Sequence, residues 1–397
     1  MYIIVDTMKT LNGPGDLNIS RVLRLIWQHK GISRIEIAQQ LGVDKSTVTK
    51  IVSSLEEIGI IRAFAQGNAG PQGGRKPIQL EVTPDFGVTF GIEITTDGIL
   101  AVMVNLNGEI LEYLDIRMPV TSVYDAFDLA VEQLSLKREI LGRPLLGIGV
   151  GIPAIVNTET GTIVQSIPLV IHDPIHFAGW AREKYGTPVY IENDARCGCL
   201  GEITLRHGME LDNALFLLAE IRKITGSTES RKNLSVGLGF ILNGQPHYGK
   251  QFSAGEFRSI LWEPGNSGQF QSNDMTGDRI GSDESVTGSM FTELARHAAL
   301  LTNSLNLNYV FIGGLDDSLT EDLIARINSE IVRNWPYEHA QQYSVIPASL
   351  GRKAVAYGAA GHCLQRFFSL PNIYQPSGSG PSIKETLTKI KDVSADS

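Results

Sequence analysis

Residues 33–59 read SRIEIAQQLGVDKSTVTKIVSSLEEIG, and this pattern predicts two helices joined by a tight turn. Ser33 and Glu36 have the spacing of a capping box that opens the first helix, and Gly42 ends it. Asp44 then caps the second helix. The apolar residues keep helical spacing, with Ile35, Ile37, Ala38 and Leu41 in the first helix and Val48, Ile51, Val52 and Leu55 in the second.

The second helix presents hydroxyl and ammonium groups on its outward N-terminal half. Such groups can reach base edges and phosphates in a DNA major groove. An ordinary helical hairpin is the alternative interpretation of the same pattern. The residues predicted to bind DNA here are Lys45, Ser46, Thr47, Thr49 and Lys50.

A wing follows the two helices. A strand starts at 59–62, the loop GNAGPQGGRKP occupies 67–77, and IQLEV at 78–82 alternates like a returning strand. Together these segments predict a winged helix-turn-helix. Arg75 and Lys76 lie among glycines, where they can reach a phosphate or the minor groove, although a surface loop with incidental charge is the alternative.

Charge divides unevenly along the 397 residues, whose net charge is -9. Residues 1–84 hold ten Lys and Arg against seven Asp and Glu, and the remainder holds 24 against 36. Only the N-terminal part therefore suits a polyanion, and its modest excess of +3 predicts that two copies act together in a homodimer or higher homo-oligomer.

Targeting and redox signals are sparse. No stretch reaches the roughly 20 apolar residues of a membrane span, and the N-terminus lacks a signal-peptide pattern, so we expect a cytoplasmic protein without a membrane partner. Cys197, Cys199 and Cys363 are too few and too badly spaced for a disulfide framework or a metal site.

From residue 86 onward the pattern changes to glycine-punctuated strands and helices. Asn107-Gly108 predicts a hairpin turn. The order of elements repeats in the second half of the chain and predicts two related α/β lobes that face a cleft. The predicted helix spans about 123–141, and the main predicted strands span 145–153, 188–194, 214–220, 235–244 and 308–314.

The chain resembles the ROK family of repressors, open reading frames and sugar kinases. The matching segments are LNISRVLRLI (17–26), GGRKP (73–77), GIGVGIPAIVNTETGTI (147–163), IENDARCGCLGE (191–202), VGLGFILNGQPHYGK (236–250), SAGEFRS (253–259), NYVFIGGL (308–315) and PASLGRKAVAYGAAG (347–361). The resemblance implies an α/β protein with an N-terminal winged helix-turn-helix, followed by an actin-like, sugar-kinase-like two-lobed fold of the ATPase type. The expected domains are 1–84 for DNA binding, 85–375 for effector binding and dimerisation, and 376–397 as a flexible tail or docked terminal helix.

The resemblance also implies an effector site. Asn193 and Asp194 match the sugar-binding cleft, and Asp194 stands at the position of the catalytic base in family kinases. Glu256 matches a sugar contact, and Gln271 replaces a glutamate that contacts sugar in relatives. The alternatives are a strand-end Asp that caps the following helix and a lone surface glutamate.

Two departures from the family pattern argue against catalysis. The first strand turn, GIEITTD at 91–97, lacks the Asp and the Gly-Thr pair that hold nucleotide phosphates and Mg²⁺ in the kinases, and SVGLG at 235–239 is a reduced second loop. The zinc positions carry Ser259, Trp262, Pro264 and Gln269 instead of His and Cys. We therefore expect no catalytic residue, no cofactor and no metal.

Taken together, these features predict a transcriptional regulator of carbohydrate genes, most simply a repressor, that binds double-stranded operator DNA and responds to a sugar effector. One alternative is a ROK sugar kinase that carries a DNA-binding domain, and another is a constitutive DNA-binding protein with an empty pocket. Residues 222–233 and 272–285 are predicted to be surface variation, and the tail carries an amphipathic patch at Ile383, Leu387 and Ile390.

Overall fold

The computed structural model describes residues 14–66, 77–206, 211–223, 232–266, 268–271 and 279–369. The predicted wing-tip residues Arg75 and Lys76, the tail 376–397 and residues 272–278 lie outside the described residues. Within them, residues 14–82 form a winged helix-turn-helix, the head, and residues 88–369 form a two-lobed body. The head contains α1 (Pro14–Gln28), α2 (Arg34–Leu41), α3 (Lys45–Ile58), β1 (Ile61–Gln66) and β2 (Ile78–Val82).

Local capping rules place the head helices as predicted. Ser33 accepts a hydrogen bond from the Glu36 backbone, and the Glu36 carboxylate accepts one from the Ser33 backbone, which confirms the capping box. Gly42 ends α2 at a φ of 61°, and Asp44 accepts from the Ser46 backbone N–H. Ile35 lies in α2 as its spacing predicts, but it is 49% exposed, because the eight-residue α2 buries only the face that carries Ile37 and Ala38.

The first lobe is built on a five-stranded sheet in the order β5-β4-β3-β6-β9. β3 and β4 pair antiparallel around a short turn, whereas β3, β6 and β9 run parallel. The elements are β3 (Val88–Thr95), β4 (Gly98–Asn105), β5 (Ile110–Arg117), α4 (Val123–Leu141), β6 (Leu145–Ile152), β7 (Ile155–Asn157), β8 (Thr162–Gln165), α5 (Phe177–Tyr185), β9 (Val189–Asn193) and α6 (Asp194–Leu205).

The second lobe repeats this plan. Its sheet has the order β12-β11-β10-β13-β14, with a long antiparallel β10–β11 hairpin and parallel β10, β13 and β14. The repeat confirms the predicted pair of related lobes. The elements are β10 (Ala214–Lys223), β11 (Lys232–Leu242), β12 (Gln245–Pro246), α7 (Glu284–Leu305), β13 (Tyr309–Gly313), α8 (Asp317–Arg333), β14 (Ser344–Pro347) and α9 (Ala354–Phe367).

Helix α9 packs closely against the first sheet and also reaches the head. A Cβ added at Gly91 or Gly149 would lie 1.9 Å from a carbonyl oxygen of α9, so only glycine permits this approach. Beyond the end of α9, the buried Phe368 ring stacks on Trp27 of α1 with centroids 4.6 Å apart. The Trp27 indole N–H also donates to the Leu106 carbonyl. Head and body therefore share one apolar core.

None of the helices in the described part of the chain combines the length and the apolar composition that crossing a lipid bilayer requires.

Candidate functional site

The N-terminal half of α3 presents polar side chains to solvent. Lys45, Ser46, Thr49 and Lys50 are exposed, whereas Thr47 is half-buried. The Thr49 hydroxyl donates to the Lys45 carbonyl at 2.8 Å, so it is partly engaged by the helix itself. On the opposite face, α3 is anchored by a buried apolar stripe, which consists of Val48, Val52 and Leu55. This geometry suits insertion of α3 into a major groove.

The predicted effector residues Asn193 and Asp194 lie where β9 ends and α6 begins, and both are buried. The Asn193 side chain caps α6 by accepting from the Arg196 backbone at 3.1 Å, and its amide donates to the Ala154 carbonyl at 3.2 Å. One Asp194 oxygen accepts from the Ala195 backbone N–H at 2.8 Å. Asn193 therefore has a structural role, while Asp194 keeps its second oxygen for another partner.

That second oxygen, Asp194 Oδ2, forms an ion pair with Arg222 Nη2 at 3.5 Å. The Arg222 Nε donates to Glu220 Oε2 at 2.8 Å, and Nη2, the nitrogen that faces Asp194, donates to the same Glu220 oxygen. The Arg222 side chain is only 15% exposed. Burial raises the pKa of Asp194 to about 6, while the Arg222 guanidinium opposes that shift and the Glu220 carboxylate adds to it. Asp194 is thus a buried carboxylate whose charge is balanced from inside the protein.

The position of Arg222 corrects the predicted loop over 222–233. Arg222 and Lys223 belong to β10 and pair in register with Asn233 and Lys232 of β11, so the strand pair is continuous at these positions. The strand continues past its apolar residues, and there the Arg222 side chain contacts the carboxylates of Asp194 and Glu220 in the cleft. The alternation of Leu218, Glu220 and Arg222 was the signal available in the sequence, since alternate residues of a strand share one face.

A cavity of about 240 Å³ separates the two lobes. Its wall includes Glu93 of β3, which is 6% exposed, and Asp97 of the β3–β4 turn. Burial raises the pKa of Glu93 well above its usual value, and the Glu220 and Asp194 carboxylates raise it further. Carboxyl groups therefore lie on β3 and in the β3–β4 turn at this wall of the cavity. The other charged residues of the wall are Asp115, Arg117, Glu220, Arg222 and Arg352.

Glu256 approaches Asp194, but Gln271 lies elsewhere. Glu256 is exposed and forms an isolated β-bridge with Gly237, and a Cβ added at Gly237 would lie 3.7 Å from Asp194 Oδ1. Gln271 instead lines an open groove along α7, where its backbone N–H donates to Glu293. None of the four predicted effector residues is among the described residues that line the interlobe cavity, and Asp194 is connected to it through Arg222, which does line it.

Hydrogen bonds hold the loop in which relatives are expected to bind zinc. The Gln269 amide accepts from the Val236 N–H at 2.7 Å and donates to the Val236 and Phe257 carbonyls at 2.8 and 2.9 Å. Ser259 Oγ forms a hydrogen bond of 3.0 Å with His297 Nε2. Across the described residues, no group of three or more His, Cys, Asp and Glu side chains could hold a metal ion.

Comparisons with known proteins agree with this architecture. Residues 89–267 match the ROK family, and residues 20–65 match the MarR family. The xylose repressor of Caldicellulosiruptor bescii is 31% identical over 47% of this chain and 47% of its own length. The xylose repressor of Bacillus subtilis (strain 168) is 22% identical over 89% of this chain and 96% of its own.

For the Caldicellulosiruptor bescii repressor and two further relatives, this chain spans only 47–58% of the relative's own length. Among solved structures, a ROK family transcriptional regulator described as a homolog of the E. coli MLC protein has a TM-score of 0.69 and 19% identity. The alignment covers 88% of this chain and 96% of that one. At this identity the likeness shows the fold.

Proposed function

Because the chain carries a ROK family domain behind a winged helix of the MarR family, we propose that it is a transcriptional repressor whose operator binding responds to a sugar. The observation that carries the proposal is the exposed polar half of α3 on a head that shares its core with a cleft-bearing body. We further propose that residues 1–84 bind DNA, that 85–375 bind effector and dimerise, and that 376–397 form a tail. Two heads of a homodimer then read a pseudo-palindromic operator.

Effector recognition is proposed for Asp194 and Glu256, with Asn193 shaping the strand end and Gln271 as a more distant candidate. A carboxylate fixed at a strand end can accept from sugar hydroxyls. Proteins named xylose repressor are among the relatives, so xylose is the first sugar to test. A ligand at 100 times its dissociation constant adds about 2.7 kcal/mol to stability, so a thermal-shift comparison of xylose with glucose and other monosaccharides identifies the effector.

The operator is tested by mobility shift with DNA from upstream of the protein's own gene, against an excess of unrelated DNA. We expect specific binding that weakens when the stabilising sugar is added, because ligand and DNA binding are thermodynamically reciprocal. Failure to bind that DNA specifically, combined with no stabilisation by any sugar, would contradict the proposal.

The kinase alternative rests on Asp194. A base needs a phosphate held beside the hydroxyl that it activates, and here the turn that would hold it carries the Glu93 and Asp97 side chains, while Arg222 pairs with the base. We therefore propose a non-enzymatic protein without nucleotide or zinc. Sugar-dependent ATP turnover that Asp194→Asn abolishes would establish the kinase instead, and one zinc per chain by elemental analysis would refute the assignment of the 259–269 loop.

A further inference from the structure

We propose that Arg196 is a positioning residue for the effector site, because it fixes the loop 247–255 and so holds Glu256 near Asp194 before any sugar binds. This inference rests on the proposed function and adds to it the residue that forms the site in advance of the ligand. Arg196 is not among the effector residues that the sequence predicts.

Arg196 is a buried cation in the first turn of α6. Its side chain is 1% exposed, and its Nε donates to Glu192 Oε1 at 2.7 Å. Its Nη1 donates to the Phe252 and Ala254 carbonyls, both at 3.1 Å. One guanidinium can reach these three acceptors together because its donors form a rigid fork. Arg196 therefore connects the end of β9 in the first lobe to a loop of the second lobe.

Residues 247–255, which we call the effector loop, form an irregular segment after β12, so their backbone groups depend on individual contacts. Phe252 has a φ of 60°, a left-handed conformation that bulky residues rarely adopt. The Ala254 N–H donates to the Tyr248 carbonyl at 3.2 Å, and the Tyr248 ring centroid lies 5.5 Å from the Arg196 guanidinium. Arg196 thus holds a strained part of the loop from a neighbouring helix.

The effector loop leads directly to Glu256. The Glu256 backbone pairs with Gly237 of β11, and the Leu238 N–H donates to the Gly255 carbonyl at 3.1 Å. Burial raises the pKa of Asp194, and the Glu256 carboxylate adds to that rise, so these two carboxyl groups are close in space. Carboxylates held close together can accept from hydroxyls of the same sugar. The placement of the loop therefore determines whether Glu256 and Asp194 can act on one ligand.

Helix α6 ends with a second pair of the same spacing, which shows what is particular to Arg196. Glu202 and Arg206 are four residues apart, as are Glu192 and Arg196, and both glutamates are buried. The Arg206 side chain is 24% exposed, and its Nη2 donates to Ser349 at 3.3 Å. The two pairs therefore share their spacing and their charges, but the hydrogen bonds to the effector loop come from Arg196.

Stability alone is a poor explanation for the pair of Glu192 and Arg196. Replacing a buried ion pair by apolar residues is often neutral or stabilising, because desolvation opposes the attraction. This pair is also incompletely satisfied, since Glu192 Oε2 and Arg196 Nη2 are buried without a hydrogen-bond partner among the described residues. The contacts to Phe252 and Ala254 give the buried guanidinium a role in geometry.

Hydrogen exchange of the ligand-free protein tests whether Arg196 fixes the loop. The variant combines Glu192→Gln with Arg196→Met, so that no buried charge is left without its partner. We expect the amides of 247–256 to exchange at least about tenfold faster than in the wild type, while the amides of β10 keep their wild-type rates.

The matched control combines Glu202→Gln with Arg206→Met, the same change at the other end of α6. Its amides at 247–256 should exchange as in the wild type. If the Glu192→Gln, Arg196→Met protein does not fold, Arg196→Lys takes its place, because it keeps a positive charge opposite Glu192 and replaces the fork of donors by one nitrogen.

A double-mutant cycle on sugar affinity tests whether the fixed loop matters for the effector. Titration calorimetry uses xylose, or the monosaccharide that the thermal-shift comparison selects. In the wild type, Glu256→Gln should weaken sugar binding about tenfold. In the Glu192→Gln, Arg196→Met background, the same substitution should change affinity less than about twofold, because Glu256 is no longer held near Asp194.

Two results would overturn the positioning role even if the protein binds sugar: unchanged or uniformly faster exchange in the Glu192→Gln, Arg196→Met protein, and an additive cycle. An additive cycle would mean that Glu256 contributes to sugar binding without help from Arg196. In either case the proposed function stands and only the role of Arg196 is wrong. If the wild type binds no sugar, the proposed function fails and this inference fails with it.

Discussion

Helix α3 and the interlobe cleft both carry charged residues, but these residues differ in their exposure to solvent and in whether they are paired within the protein. Lys45 and Lys50 are exposed, and no ion pair among the described residues engages either of them. Asp194 is buried, the Arg222 side chain is only 15% exposed, and the two already form an ion pair. If α3 is the surface that binds DNA, it can do so without rearrangement, whereas a ligand that contacts Asp194 would first have to break an internal contact.

Because of this difference, removing a charge should affect ligand or DNA binding and the stability of the fold in different ways in the two regions. Removing an exposed cation from α3 should weaken DNA binding and leave the fold unchanged. Removing a buried charge from the cleft should instead stabilise the fold while it impairs the response to ligand, which is the usual trade-off at functional sites. The predictions below test this contrast, beginning with the junction that connects the two regions.

The largest expected effect is at Phe368, where the body meets the head. Phe368 is fully buried against Trp27, so Phe368→Ala leaves a cavity and should lower the free energy of unfolding by about 3–5 kcal/mol. Urea unfolding measures the change. Ile140→Ala is the control, because Ile140 is 82% exposed and its loss should have little effect. A loss below about 1 kcal/mol for Phe368→Ala would mean that head and body do not share a core.

The second prediction concerns Asp194 and pH. Because the folded protein raises the pKa of Asp194 to about 6, it holds this proton more tightly than the unfolded chain does. The associated stability is present below about pH 4 and is lost as the pH rises through about 6. Asp194→Asn should therefore be more stable than the wild type by up to about 3 kcal/mol at pH 7–8, and the difference should vanish near pH 4.

Unfolding curves of both proteins across this pH range measure the difference. The same variant should lose its response to sugar while its DNA binding without sugar persists. A less stable Asp194→Asn protein at neutral pH would mean that the pair with Arg222 contributes net stability, and the contrast between cleft and head would fail.

The sequence predicted the head well because its signals are local. Ser33, Gly42 and Asp44 act on groups within four residues of themselves, so spacing alone determines where α2 and α3 begin and end. The exposure of Ile35 shows what spacing leaves open, because burial depends on which neighbours a short helix meets.

In the cleft, the sequence predicted the strand-end position of Asp194 but missed its partner. Arg222 is 28 residues further along the chain and belongs to the other lobe, so its ion pair depends on how two sheets face each other. The hydrogen bond between the Gln269 side chain and Val236 is also a long-range contact, since it joins a loop to β11. Such pairs arise from tertiary packing, and no local motif marks them.

The smallest expected effect is at α3, and it completes the contrast. If Lys45 and Lys50 contact phosphates, replacing either by Ala should weaken operator binding and reduce the salt slope by about one for each lost contact per head. Thermal stability should not change, because both side chains are solvated in the free protein.

Lys137→Ala removes another exposed cation, from α4, and serves as the control, with the wild-type salt slope expected. Measuring operator affinity over a range of salt concentrations distinguishes a lost contact from a general loss of positive charge, since the latter would also appear in the control. If Lys45→Ala and Lys50→Ala both bind the operator like the wild type, α3 is not the helix that reads DNA, and its exposed polar face is an ordinary solvated surface.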